Sequence, residues 1–344
     1  MKTVAAPPII KGAYTLANTT GMYDFGGVPL DKPLNVVSCD DLTIRGLVID
    51  LTSAALPNMP NLLSVTQSGN ITIEDPVIIG RYPVDDAEVA AIIGNVSKAK
   101  VGAGSHTGLM LDGCHDVTIT GGTVQTMFKS ASVVRSRGVT IDGLKFFDQR
   151  EGINANAAQD LVIQNCRGWD MRSTGVGVSG DHSDFIQIFP QAGPCIDISI
   201  VDNFFAVAAD YAGVAQGFIL GSDVYGRMDG LTIRRNQITL VHSNGIVVIN
   251  TSSATVEDNV LVGANPAGDD RLAPRVLTSG ASDGIAQANT VVCPSFRAPV
   301  ENRDAATSPF VIGSNAKIKV GDPLPAEYQD QSLWATTTPV PPVE

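Results

Sequence analysis

One short pattern recurs along the chain and limits the folds available to it. The clearest copies are DLVIQNC, DISIVDN, GLTIRRN and ATVEDN, at 160–166, 197–203, 230–236 and 254–259, with a weaker copy, GIAQAN, at 284–289. Each copy alternates β-branched and polar residues, which is typical of a β-strand, and then ends on a small polar residue. A unit of about 20–30 residues that recurs with variable spacing indicates a solenoid whose insertions fall in loops.

Earlier copies extend the series toward the N-terminus. They read DLTIRGLVID, NITIEDPVII, DVTITGGTV and GVTIDGLKF, at 41–50, 70–79, 116–124 and 138–146. The copies that start at 116, 138 and 160 are 22 residues apart. A unit of this length is too short for two strands and a crossover helix, but it fits three short strands joined by tight turns. The sequence therefore predicts an all-β chain, a right-handed parallel β-helix of about nine or ten rungs.

The residue that ends each copy forms a column along the predicted solenoid. Its members are Asn203, Asn236, Asn259 and Asn289, with Cys166 at the head. A fixed offset from the preceding strand argues against isolated β-turn asparagines, which would be scattered. Stacked amides at one turn can hydrogen-bond to the rungs above and below, and can satisfy turn backbone that points inward.

The chain divides into three parts by composition. Turn-rich residues 1–35 are predicted to form a lead-in and a first irregular rung, and residues 36–320 the β-helix. The Pro-rich stretch 321–344 is predicted to be an extended arm. Residues 84–100 have the capping and charge pattern of a short helix, which we place as an insertion between rungs.

Charge and cysteine content restrict the function classes. The net charge of −12 argues against nucleic acid or an anionic membrane as partner. Five cysteines without a CxxC motif indicate reduced, buried thiols. The sequence shows no signal peptide and no transmembrane span, so we expect synthesis in a cytoplasm, and release by lysis or association with a virion or other particle.

The ends of the predicted solenoid would expose unpaired strand edges. No amphipathic helix at the N-terminus is available to cover the first rung. Because proteins usually cover such edges, we expect neighbouring subunits to do so, in a homotrimer or a larger assembly with other particle proteins.

A second alignment compares the strands that precede the repeated motifs. It makes the following residues equivalent in the core: Val133, Ile153, Ile186, Phe218 and Ile246. The residues two positions earlier should then share one face: Ala131, Glu151, Asp184, Gln216 and Asn244. The residues one position later should form another row: Val134, Asn154, Gln187, Ile219 and Val247. A further row, four positions earlier, includes Lys129, Gln149, His182 and His242.

Polar side chains are densest on the middle rungs of this face. The predicted catalytic residues are Asp184, Glu151, His182 and Arg150. The predicted substrate-binding residues are Gln187, Asn154, Asn156, Asp181, Gln216, Tyr225, Arg227 and His242. The alternative is that each polar row only solvates the sheet, as polar columns commonly do. Co-located acids, an arginine and a histidine favour a functional site.

Glu151 and Asp184 suggest acid–base chemistry. Adjacent rungs lie ~4.8 Å apart, so the two carboxyl groups would lie roughly 5 Å apart. Like charges at that distance raise one pKa, which would leave one carboxyl ionised and the other protonated. A retaining glycosidase needs a pair about 5 Å apart and an inverting one about 6.5–9.5 Å. A lyase would instead use a base such as His182, with Arg150 or a metal ion neutralising a uronate carboxylate.

On these repeats and the asparagine column, the chain resembles the pectate-lyase-like right-handed parallel β-helix superfamily over roughly residues 35–295. That superfamily includes polysaccharide lyases, polygalacturonase-type hydrolases, alginate epimerases and trimeric phage tailspike depolymerases. The polygalacturonase motifs NTD, GHG and RIK are absent, and the epimerase motif DPHD is only loosely matched by GDHSD at 180–184. HSDFIQ at 182–187 is similar to an HxDxIQ segment of bacterial and phage β-helix proteins, which makes His182, Asp184 and Gln187 candidate site residues.

The resemblance leaves three hypotheses. The first is a carbohydrate-active enzyme, a phage tailspike or tail-fibre type depolymerase that binds and cleaves a bacterial surface polysaccharide. The second is a non-catalytic structural or adhesive component of a particle, and the third a secreted polysaccharide lyase or epimerase. No cofactor or bound metal is expected, although a lyase would admit a divalent cation.

Overall fold

Three sheets, parallel except for an antiparallel pair formed by the first two strands, make up the described part of the chain. The structure is a computed structural model, which describes residues 7–52, 61–80, 107–171, 183–207, 215–263, 273–292, 299–303 and 310–318. The chain passes from sheet A to sheet B to sheet C and then returns to sheet A one rung further along. The fold prediction is confirmed. The helix predicted at 84–100 and the arm predicted at 321–344 lie outside the described residues.

The strands are distributed over the three sheets as follows. Sheet A contains β1 (Ile9–Ile10), β2 (Ala13–Ala17), β5 (Leu34–Val37), β8 (Leu63–Thr66), β11 (Thr107–Asp112), β14 (Lys129–Val134), β17 (Glu151–Asn156), β20 (Ser183–Phe189), β23 (Ala215–Gly221), β26 (Asn244–Ile249), β29 (Arg275–Ser279) and β32 (Val300–Asn302). Sheet B contains β3 (Gly21–Asp24), β6 (Asp40–Arg45), β9 (Gly69–Glu74), β12 (His115–Thr120), β15 (Arg137–Asp142), β18 (Gln159–Gln164), β21 (Cys195–Val201), β24 (Met228–Arg234), β27 (Thr251–Glu257), β30 (Ser282–Gln287) and β33 (Val311–Ile312). Sheet C contains β4 (Pro29–Leu30), β7 (Val48–Asp50), β10 (Val77–Ile79), β13 (Thr123–Gln125), β16 (Lys145–Gln149), β19 (Arg167–Met171), β22 (Phe204–Ala206), β25 (Gln237–Leu240), β28 (Val260–Gly263), β31 (Thr290–Val292) and β34 (Ala316–Ile318).

The described residues make more rungs than the nine or ten expected. Sheets B and C each have 11 strands, all joined in parallel. The first complete rung, β2 to β4, lies within residues 1–35, where an irregular first rung was expected. The last rung, β32 to β34, comes after the final repeated motif and was not expected, because its strands are short and lack the full repeat.

Stacked aliphatic side chains fill the interior. On sheet B, the paired residues Ile141, Ile163, Ile200 and Ile233 are fully buried, each directly above the one before it. Alternation places every second side chain of a strand inside, so a rung needs only two or three apolar residues per strand. Aromatic rings widen the core in the middle, where Phe205 packs on Phe146, Phe185 and Phe218 with ring centroids 5.1–5.5 Å apart.

Asparagines stack at the turn between sheets B and C, as predicted. Asn203 donates from Nδ2 to Oδ1 of Asn236 at 2.9 Å, and the same bond links Asn236 to Asn259 and Asn259 to Asn289. Each Oδ1 also accepts a backbone N–H from the rung before it, beginning with that of Cys166. The ladder continues to Asn315, which the motif search missed. From Cys166 to Asn289, the residue before each ladder position has a positive φ, which makes the turn tight.

Two further observations concern the whole described part of the chain. Cys39, Cys114, Cys166 and Cys195 are buried, unpaired thiols, as expected from their spacing. In the described ranges, no helix has the length and apolar character needed to cross a membrane.

Candidate active site on sheet A

The pairing of β14 with β17 corrects the predicted alignment at one rung. Ala131, and not Val133, lies beside Ile153, so the predicted register was wrong by two residues there. Ser132 therefore takes the position assigned to Val134, next to Asn154. The later rungs follow the predicted register, with Ile153, Ile186, Phe218 and Ile246 in one row.

This correction brings Lys129 into the site. Lys129 pairs with Glu151, and its Nζ lies 3.1 Å from Oε2 of Glu151. The predicted register placed Lys129 four residues from the core row and did not include this contact. A signal was available, since Lys129 and Glu151 are 22 residues apart, the spacing of the neighbouring repeats.

Two cations surround one buried carboxylate. Nη1 of Arg150 contacts Oε1 of Glu151, while Lys129 contacts the other oxygen. The guanidinium of Arg150 also lies over the ring of Phe128, 5.0 Å from its centroid, in a cation–π contact. Glu151 and Arg150 are 8% and 9% exposed, so these charges are largely removed from water. A buried charge must be paired to be tolerated, and here it is paired twice.

These two cations hold Glu151 in its ionised form. Burial raises the pKa of Glu151, but the charges of Lys129 and Arg150 and the hydrogen bond from Asn154 outweigh it, so that the pKa lies below its ordinary value. The sequence predicts that one of the two carboxyl groups, Glu151 or Asp184, has a raised pKa, and Glu151 is not that group. Its low basicity makes it a poor proton acceptor near neutral pH.

Two amide side chains connect Glu151 to Asp184. Nδ2 of Asn154 donates to Oε2 of Glu151 at 3.1 Å and to Oε1 of Gln187 at 3.0 Å. Nε2 of Gln187 donates to Oδ2 of Asp184 at 2.7 Å. Oδ1 of Asn154 is buried and has no hydrogen-bond partner among the described residues. Asp184 itself is 1% exposed.

The polar row continues on the next two rungs. Asp184 pairs with Gln216, whose Oε1 accepts from Nδ2 of Asn244 at 3.1 Å. His242 accepts the backbone N–H of Asn244 at Nδ1, at 3.0 Å, which leaves Nε2 to carry the proton of a neutral ring. Gln216 and His242, both predicted, thus belong to one continuous polar surface with Asp184.

A groove of about 320 Å³ adjoins this surface. Its polar lining includes Gln187, Gln216 and Asn244, together with Asp223, Ser279 and Arg303. Its apolar lining includes Ile219, Val247 and Leu277, which form a separate apolar cluster on the outer face of sheet A. We name this cluster the apolar strip.

The remaining predicted residues have different positions. Oδ1 of Asn156 accepts the backbone N–H of Ala192 at 2.7 Å, so Asn156 holds the loop after β20 and is not in the cluster. Tyr225 lies beside the groove, because its ring packs on Phe189 at 6.3 Å between centroids. Arg227 is exposed and does not line the groove. Asp181 and His182 lie outside the described residues.

The described residues contain no group of three or more His, Cys, Asp or Glu side chains arranged to hold a metal ion. What the surface can do follows from its own side chains. It offers one ionised carboxylate, two cations, a second carboxyl group and several amides to a ligand with many hydroxyl groups.

A family comparison agrees with the rung geometry. The model of the right handed beta helix region matches residues 86–261, just over half of the chain. The chain belongs to the right-handed β-helix family. Sequence comparison with curated proteins finds no match.

Several solved structures are similar to this chain. A polygalacturonase from Erwinia carotovora ssp. carotovora is 12% identical with a TM-score of 0.47, over 93% of this chain and 96% of its own. The Streptococcus pneumoniae surface protein and adhesin PfbA is 10% identical with a TM-score of 0.47, over 89% of both chains. An Arthrobacter chlorophenolicus DFA-IIIase in complex with DFA-III is 11% identical with a TM-score of 0.49, over 90% and 83%.

Proposed function

We propose that this β-helix binds and cleaves a bacterial surface polysaccharide on the outer face of sheet A. The polymer would lie along the row from Lys129 to Asn244, across successive rungs. We further propose that the protein acts as a depolymerase of the phage tailspike or tail-fibre type and is associated with a particle.

The observation that carries this proposal is the buried polar network that joins Glu151 to Asp184 through Asn154 and Gln187. In this network, Oδ1 of Asn154 accepts no hydrogen bond from the described residues. Leaving a buried acceptor without a donor costs about 1–3 kcal/mol, and nearby charges are costly to bury as well. Because this oxygen is buried, the amide of Asn154 would have to turn outward on binding, and a sugar hydroxyl that donates to Oδ1 would then recover this cost. Paired, desolvated charges around such an acceptor are typical of sites where bonds are made and broken.

The proposed roles follow from the charges. Asp184 transfers the proton at the scissile bond, because Glu151 is held in its ionised form by its two cations. Glu151 positions Asn154, because its Oε2 accepts a hydrogen bond from Nδ2 of Asn154. Lys129 and Arg150 together carry two positive charges, against the single negative charge of Glu151. The remaining positive charge also suits a substrate carboxylate, as a lyase requires.

Turnover by Asp184→Asn tests the catalytic role. We expect wild-type protein to release reducing ends from at least one polymer in a panel of bacterial exopolysaccharides and uronate polymers. The variant should bind that polymer but cleave it about 10²–10⁴-fold more slowly, the usual contribution of a general acid or base. The matched control is Asp202→Asn, which alters an exposed ion pair with Arg235. Equal loss in both variants would contradict the proposed role.

Product absorbance distinguishes the two reaction types. A lyase creates an unsaturated product that absorbs in the ultraviolet, whereas a hydrolase produces reducing ends alone. Rising absorbance would indicate a lyase, in which Lys129 and Arg150 bind the substrate carboxylate. Reducing ends without absorbance would indicate a hydrolase, in which the carboxyl groups of Glu151 and Asp184 serve hydrolysis.

A second candidate is a non-catalytic adhesive or structural protein. It is favoured by the pairing of Glu151, whose two oxygens are each bonded to protein cations, as a purely structural network requires. Binding of a polysaccharide by wild type, with no turnover of any polymer in the panel, would support this candidate over the enzyme.

Assembly is part of the proposal. Ile9 and Ile10 on the first strand and Val311 and Ile312 on the last strand of sheet B are each about half exposed. Apolar residues at both ends suit contacts with further subunits, in a homotrimer or a larger particle. Sedimentation that showed only a stable monomer of the full chain would contradict this.

A further inference from the structure

The apolar strip departs from the usual surface of a β-helix. Sheet A has an outward-facing row that runs Ser132, Asn154, Gln187, Ile219, Val247 and Leu277 across paired strands. The first three members are polar and the last three are aliphatic. Outward positions of a solvated strand are normally polar, so three consecutive aliphatic residues need a separate explanation.

The strip forms one wall of the groove beside the candidate site. Ile219, Val247 and Leu277 are 9%, 5% and 3% exposed, and Phe189 and Ile249 pack against them. The same groove is lined by the amides of Gln187, Gln216 and Asn244, and by Asp223, Ser279 and Arg303. It thus combines an apolar surface with hydrogen-bonding groups, and it is continuous with the network around Asp184 through Gln187.

We infer that the groove is a specificity subsite for a sugar unit that carries a methyl group, as in an acetyl or 6-deoxy substituent. Its volume of about 320 Å³ lies at the lower limit of small-molecule sites, which suits one or two sugar units and not a larger ligand. The methyl group would pack on the apolar strip, and the ring hydroxyls would bond to the amides. The inference rests on the proposed polysaccharide function and specifies its substrate class.

The magnitude follows from the area that a methyl group buries. Removing one methyl or methylene group from water contributes about fourfold to a binding constant. A sugar with the methyl group should therefore bind about fourfold more tightly than its counterpart without it. A site made only of amides would not make this distinction.

Methyl-group NMR of the full chain, with two pairs of probes, tests the inference. The first pair is N-acetylglucosamine and glucose, and the second is L-rhamnose and L-mannose, so that neither control carries a methyl group. We expect the resonances of Ile219, Val247 and Leu277 to shift on titration with the methyl-bearing member, with about fourfold weaker binding of the other. Equal affinities within both pairs, or no shift with any probe, would overturn the inference.

Two matched variants test whether the apolar strip causes the preference for methyl-bearing sugars. Val247→Ser should abolish the preference, while Val28→Ser, the same change at a residue that is 62% exposed, should leave it intact. Circular dichroism verifies that both variants fold. If Val247→Ser retains the preference, the strip is not the binding wall.

The test is independent of catalysis. Asp184→Asn should keep the preference for methyl-bearing sugars although it loses turnover. If wild type cleaves a polymer but shows no preference, the subsite fails and the enzyme proposal survives. If no polymer is cleaved but the preference is present, the enzyme proposal fails and the subsite survives.

Discussion

The asparagine ladder allows a quantitative test of how the rungs are held together, through Asn236→Ala. Asn236 is fully buried and makes five hydrogen bonds through its side chain. Its Oδ1 accepts the backbone N–H of Asn203 at 3.1 Å and Nδ2 of Asn203 at 2.9 Å. Alanine leaves both donors without that acceptor, in a place that water does not reach.

The expected cost follows from these two donors. Each buried group left unsatisfied costs about 1–3 kcal/mol, so we expect Asn236→Ala to lower the free energy of unfolding by about 4 kcal/mol. Asn315→Ala is the matched control, because it removes the same two acceptor bonds, to Asn289, at a half-buried position. Water can replace the amide there, and we expect a loss of only about 1 kcal/mol.

Urea denaturation, followed by circular dichroism, measures both variants against wild type. A loss under about 1 kcal/mol in Asn236→Ala, or equal losses in the two variants, would refute the reasoning. Either result would mean that the turn backbone finds other partners when the amide is removed.

Two further predictions concern titratable groups. The pKa of Glu151 is lowered in the folded state, so its contribution to stability is present above the ordinary carboxyl pKa of about 4.3 and is lost as pH falls through the lowered value. Lys129→Met should raise the pKa of Glu151 towards its ordinary value. The free energy of unfolding should then fall less between pH 7 and pH 3 in the variant than in wild type. An equal fall in both proteins would contradict the ion pair between Lys129 and Glu151. Burial raises the pKa of Cys166 to about 12, and the thiols of Cys39, Cys114 and Cys195 are buried too. At pH 8 we expect mass spectrometry to find these four unmodified by a thiol reagent until the protein is unfolded, and rapid labelling of Cys166 in the native state would contradict its burial.

The asparagine column shows why the fold could be predicted from sequence. A parallel β-helix repeats one local solution, in which alternating residues fill the core and a small polar residue closes the turn. Both parts of that solution are local, so they appear as a pattern with a fixed offset. The chain therefore specified its strand type, its three-strand rung and the ladder from Asn203 to Asn289.

The candidate site was predictable only in part. Glu151, Asn154, Asp184 and Gln187 were grouped correctly on one surface, because the rows around Ile153 and Ile186 align without ambiguity. Lys129 was misplaced, because Ala131 and Val133 both point into the core. A shift of two residues preserves the inward and outward alternation, so the apolar pattern alone could not choose between the two registers.

Local sequence thus determined which residues face inward and which face outward wherever a strand keeps its two-residue period. That period is broken in β20, where the neighbours Phe185 and Ile186 both belong to the core. Only the tertiary structure decided what lies beside each outward residue, since that depends on the pairing between rungs. The ionised state of Glu151 comes from Lys129 on the preceding rung as well as from its own neighbour Arg150. The apolar strip likewise exists only because Ile219, Val247 and Leu277, far apart in sequence, are brought into one row by strand pairing.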